Sequence, residues 1–140
     1  MKKYLLFVLC FHFFISKSFA QTTWNPIGLS VSGNNTMNGV DALFQLNTCN
    51  GEDVVFMKLV NHNSYAVTVE WYPAVFTNDL KWIKKENLSD KKSIALDPNS
   101  EVASDCSGAN PMMMNLLKDF SVVASNFMRF GTTNFVIIKK

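Results

Sequence analysis

The chain of 140 residues predicts an all-β fold: an antiparallel, immunoglobulin-like β-sandwich of about seven strands with one disulfide. Three observations carry this. Apolar and polar residues alternate in several short runs, which is the two-residue period of a half-buried strand. Turn formers (Asn, Asp, Ser, Gly, Pro) interrupt those runs roughly every 8–12 residues, as in a sandwich. No stretch carries a compelling helical period, which argues against βαβ architectures.

The first element is not part of that fold. Met1-Lys2-Lys3 is basic, Tyr4 to Ile15 is almost wholly apolar, and Ser18 and Ala20 form a small-x-small pattern. That order predicts a secretory signal peptide over residues 1–20, cut after Ala20. An apolar run of twelve is too short to span a membrane, which takes about 20 residues. Residues 21–140 are then a single β-sandwich domain with no transmembrane segment, exported to the periplasm, the cell surface or the medium.

Composition sharpens the class. The chain is 48% hydrophobic, 13% aromatic and 17% charged, which excludes a disordered chain. Its formal charge of +2 belongs to the leader, since Lys2, Lys3 and Lys17 leave with it. The remainder carries ten basic and eleven acidic side chains, a net of −1. Nucleic acid is therefore not an expected partner.

Within the domain, Val40, Ala42, Phe44 and Leu46 alternate with Asp41, Leu43, Gln45 and Asn47 in a strand that runs toward Cys49. Asn47 to Gly51 breaks it. Asp53–Val60 (DVVFMKLV) and Tyr65–Tyr72 (YAVTVEWY) then read as a β-hairpin joined by the four residues Asn61–Ser64. Leu80–Lys84 is a short strand, Asn87–Asp90 a turn, and Ser93–Leu96 a further strand. Asp97-Pro98-Asn99-Ser100 has proline where a type I turn wants it. Glu101–Cys106 returns as a strand with Val102 and Cys106 on one face. Residues 112–130 admit either helix or strand. Leu116, Phe120, Val123 and Phe127 recur at helical spacing, whereas Phe120–Val123 and Phe127–Phe130 also suit strands. Asn134–Lys139 is the final strand.

Cys49 and Cys106 are the two cysteines left after export, and an even count in an oxidising compartment predicts a disulfide. A zinc site lacks ligands, and a redox pair would have Cys-x-x-Cys spacing. A true immunoglobulin domain is excluded, because Trp71 lies too far beyond Cys49 and Ser104 stands where that pattern has tyrosine. The leader and the stretch from Asp53 to Cys106, with its KLVNHNSYAVTVEW run and DPNS turn, resemble small exported Bacteroidota proteins of unknown function. The resemblance implies a sandwich and no activity.

Candidate sites are few. His62 with Ser64 has the residue types of a base and a nucleophile, but both sit in a turn and no Gly-x-Ser-x-Gly elbow accompanies them. Asp97, Asn99 and Glu101 place oxygens at alternate positions, and Glu52, Asp53 and Asp105 add carboxylates; the run is too short for an EF-hand loop. Neither catalytic residues nor a metal or cofactor is therefore expected. Lys81, Lys84, Lys85, Lys91 and Lys92 surround Trp82, a candidate binding patch for an anionic glycan, a phosphate surface or a protein. Met112, Met113 and Met114 follow one another, so at least one is expected to face solvent as part of a contact loop. The expected function is that of a non-enzymatic binding module whose partner is another protein or a surface glycan. The alternatives are a small hydrolase or enzyme accessory using His62, and a structural subunit pairing through a sheet edge such as Asn134–Lys139.

Overall fold

A computed structural model describes residues 23–29 and 34–140; the expected signal peptide lies outside them. The described residues form two antiparallel sheets. One is built from β1 (Asn25–Pro26), β2 (Thr36–Met37), β3 (Val40–Cys49), β4 (Glu52–Asn61), β8 (Ser100–Ala103) and β9 (Met113–Asn115). The other holds β5 (Val67–Thr77), β6 (Trp82–Lys84), β7 (Lys92–Leu96) and β10 (Phe127–Lys139). The all-β sandwich with one disulfide stands, with ten strands in place of about seven.

The core follows from alternation. Val40, Ala42 and Phe44 of β3 and Val55, Met57 and Leu59 of β4 face Val67, Val69, Trp71 and Val75 of β5 and Phe130 of β10. Phe44 lies 6.2 Å from Phe130 between ring centroids, joining the sheets by an aromatic pair. The opposite phase of the six-stranded sheet is not fully wet. Cys49, Val54 and Phe56 are buried there in a small second cluster with Trp24 and Met113.

The expected hairpin between Asp53–Val60 and Tyr65–Tyr72 is not formed. β4 pairs with β3, in register from Cys49↔Glu52 to Val40↔Asn61, whereas β5 pairs with β10, β6 and β7 in the other sheet. The physical reason lies in the turns. Asn50 (φ +52) and Gly51 (φ +80) both take the left-handed conformation that a two-residue hairpin needs, so the break after Cys49 is itself the hairpin. Asn38 (φ +46) and Gly39 (φ +74) do the same between β2 and β3. Residues 62–66 instead carry the chain from one sheet to the other.

Other expectations shift by smaller amounts. Asn99 has φ +49, outside the type I turn expected at Asp97–Ser100. β8 ends at Ala103, so Cys106 lies beyond the strand and does not share a face with Val102. The ambiguous stretch resolves into β9, a five-residue helix α1 (Leu116–Phe120), a 3-10 turn and β10. Asn115 caps α1, accepting from the Lys118 N–H at 2.9 Å, while Asp119 accepts from the Asn115 N–H at 2.7 Å. Leu116 and Phe120 bury as their spacing predicts, but Val123 is exposed and Phe127 opens a strand.

The disulfide joins Cys49 and Cys106. It ties the end of β3 to the loop after β8, both on the six-stranded side, rather than clamping one sheet to the other. Between β8 and β9, Ser104 fills the gap in pairing along β4: its buried hydroxyl accepts from the Met57 N–H at 2.9 Å.

Candidate functional site

The outer face of the four-stranded sheet is set by the other phase of β5: Thr68, Glu70, Tyr72, Ala74 and Phe76. Cross-strand pairing places Trp82 and Arg129 on either side of Phe76, and Lys84 and Gly131 on either side of Ala74. Trp82 lies diagonally over the two small residues. A Cβ at Gly131 would stand 2.6 Å from the indole Cη2, and Ala74 is fully buried although it lies outside the main core. The Phe76 and Trp82 rings are 5.1 Å apart. The Arg129 guanidinium caps both, 5.0 Å from the Phe76 centroid and 5.2 Å from that of Trp82, within cation–π range. Trp82 nevertheless remains 43% exposed.

This breaks up the expected lysine patch. Only Lys84 shares the outward strand phase of Trp82. Lys81 pairs with Asp79 at 3.0 Å and Lys91 with Glu70 at 2.6 Å; the bond to Glu70 raises the Lys91 pKa above its usual value. Lys85 and Lys92 line a cavity of about 120 Å³ shared with Asp90 and with Lys118 and Asp119 of α1. The cation of Trp82 is Arg129, distant in sequence, which residue-by-residue reading of 81–92 missed. The signal that could have found it is the pairing of β10 with β5.

The methionines are mostly inside. Met112 and Met114 are buried in the main core, and Met113 packs half-buried against Cys49, Val54 and Phe56. The expected contact loop is thus reduced to Met113, because the β9 alternation turns its neighbours inward.

His62 donates its backbone N–H to the Gly39 carbonyl at 2.8 Å. Its Nε2 meets Asp41 Oδ2 at 2.8 Å, on a side chain 55% exposed. The Thr36 hydroxyl donates to the other Asp41 oxygen. Burial by itself would raise the Asp41 pKa, but these two bonds and the His62 charge together bring it below the usual value. The pair belongs to the turns at one end of the sandwich, away from the 120 Å³ cavity and from a second, of about 160 Å³, beside Glu52 and Leu117.

Asp97, Asn99 and Glu101 do not converge: Glu101 pairs with Lys58 at 2.7 Å on β4. No group of three or more His, Cys, Asp or Glu side chains that could hold a metal ion occurs among the described residues. No helix among them is long and apolar enough to cross a membrane.

No protein-family model matches the chain, and no curated protein matches it. Among solved structures, the crystal structure of a DUF1425 family member from Shewanella sp. pv-4 is similar, with a TM-score of 0.45 and 9% identity over 76% of this chain and 84% of that one. The likeness bears on neither ligand nor activity. Being to a Shewanella protein, it adds no support to the Bacteroidota resemblance.

Proposed function

We propose that the protein is an exported, non-enzymatic binding module, acting in the periplasm or at the cell surface, that holds a glycan on the outer face of its four-stranded sheet. The observation that carries this reading is the indole of Trp82, seated on Gly131 and flanked by Phe76 and Arg129 while 43% exposed. A ring held in place loses little freedom on binding. The exposed part of the indole offers an apolar surface to the C–H groups of a sugar ring. The cysteine bridge supports an oxidising compartment. The engagement of His62 by Asp41 at a solvent-exposed turn supports a structural part for the one imidazole outside the leader.

The test is a glycan array probed with disulfide-intact protein over residues 21–140. The wild type is expected to retain a defined set of glycans, and Trp82→Ala to lose at least tenfold in affinity for each. A wild type that retains none, or a Trp82→Ala variant that binds equally well, overturns the reading.

A further inference from the structure

The charges on the Trp82 face point beyond a glycan in general to an acidic one. Resting on the reading above, we infer that the ligand is a polysaccharide bearing repeated carboxylate or sulfate groups, held by Arg129 and Lys84, which lie on the strands either side of β5 next to the Phe76–Trp82 pair.

Glu70, on the outward phase of β5, is taken by Lys91 at 2.6 Å. Asp79, in the turn before β6, is taken by Lys81 at 3.0 Å. Glu86 lies two residues past the end of β6. Arg129 and Lys84 have no ion pair among the described residues, so the face keeps two uncompensated cations on a protein whose exported part is net −1. A local excess of that kind attracts an anion to this face without making the whole surface sticky for polyanions.

The Arg129 guanidinium lies within cation–π range of both rings and makes no hydrogen bond or ion pair among the described residues, so its N–H groups are able to donate. Such a fork matches a carboxylate or sulfate in bidentate fashion. The contacts with Phe76 and Trp82 restrict the Arg129 side chain, which lowers the entropy it loses on binding. Arg129 and Lys84 sit on strands either side of β5, opposite Phe76 and Ala74; two strand spacings across and two residues along put their backbones about 12 Å apart. A polymer with repeated charges meets both, where a single acidic sugar meets one.

The experiment compares matched polymers at low and moderate salt: polygalacturonate with its methyl ester, and dextran sulfate with dextran, each immobilised and titrated with disulfide-intact protein. The acidic member of at least one pair is expected to bind tenfold or more tighter than its neutral partner. Arg129→Gln and Lys84→Gln are each expected to weaken that binding about fivefold and to flatten its salt dependence. Lys58→Gln, an equal charge change on the other sheet, serves as the control and is expected to change nothing. Far-UV circular dichroism and the thermal midpoint establish that each variant is folded. Equal binding of acidic and neutral polymers, lost in Trp82→Ala but kept in Arg129→Gln, overturns this inference and leaves the Trp82 platform standing. Equal losses from Lys58→Gln and Arg129→Gln also overturn it, since attraction would then belong to the whole surface. Failure of every polymer to bind the wild type, with a protein ligand recovered instead, removes the platform reading and this inference with it.

Discussion

Trp82 lies against Gly131, across β5, so closely that a methyl group at 131 would stand 2.6 Å from its Cη2 and 2.7 Å from its Cζ3. The glycine is there for space, not for backbone freedom. Gly131→Ala is therefore expected to lift the indole away from Phe76 and Arg129. Because Trp82 is part-exposed, it can rotate outward, and the cost in stability should stay within ~1 kcal/mol. The variant should show a red shift in tryptophan emission and a loss of glycan binding close to that of Trp82→Ala. Unchanged emission and binding would mean that the seat does not orient the ring.

The cysteine bridge closes 57 residues of chain. Chain entropy alone then predicts that replacing both Cys49 and Cys106 by serine lowers the unfolding free energy by about 4 kcal/mol. Denaturant titration of the double variant against the wild type measures it. Intact mass of the wild type before and after reduction should differ by about 2 Da, the two hydrogens of one S–S bond.

How much of this was legible in the sequence differs by level. Period-two alternation located β3 and the first part of β5, which have one face on the core, and β-branched and aromatic content located β4; β5 runs on through Pro73 to Thr77, beyond the alternating run. Partner choice was not legible in the same way. DVVFMKLV and YAVTVEWY are adjacent in sequence and both strand-like, yet they belong to different sheets. The signal that decides it was present: Asn38-Gly39 and Asn50-Gly51 are the dipeptides that two-residue hairpins favour, and both occupy such turns. The site was less legible still. Of the lysines at 81–92, Lys85 and Lys92 line one cavity and only Lys84 shares the outward phase of Trp82, while Trp82 meets Arg129 and Gly131, residues 47 and 49 positions later, only through the β5–β10 register. No local pattern encodes that meeting.

Asn61 holds the passage between the sheets. It is buried, and its amide donates to the Tyr65 carbonyl at 3.0 Å and the Asp97 carbonyl at 2.9 Å. Its oxygen accepts from the backbone and side chain of Asn63, at 3.1 and 3.0 Å. One side chain thus joins the β4–β5 passage to the β7–β8 turn. Asn61→Ala leaves these partners unpaired and should cost about 2–3 kcal/mol. Asn61→Asp keeps the acceptor but aims an anion at two carbonyls, and should cost at least as much. Both appear as lower urea midpoints with unchanged slopes.

Asp41 makes the stability of the fold depend on pH. Its pKa in the folded protein is lowered: burial opposes this, but the Thr36 hydroxyl and His62 outweigh burial. The unfolded chain, with an ordinary carboxyl near ~4, then binds more protons than the folded one in the interval between the two values. Stability rises with pH through that interval. The contribution is complete above ~4 and is lost as pH falls through the lowered folded value. Asp41→Asn removes the titration, and it leaves His62 without its carboxylate. Wild type and variant should differ by about 1 kcal/mol at pH 5–6, the scale of a partly exposed ion pair and one hydrogen bond. Their unfolding midpoints should converge toward pH 2. A gap that stays constant down to pH 2 would mean that the Asp41 side chain acts there through its shape and neutral hydrogen bonds, not through its charge.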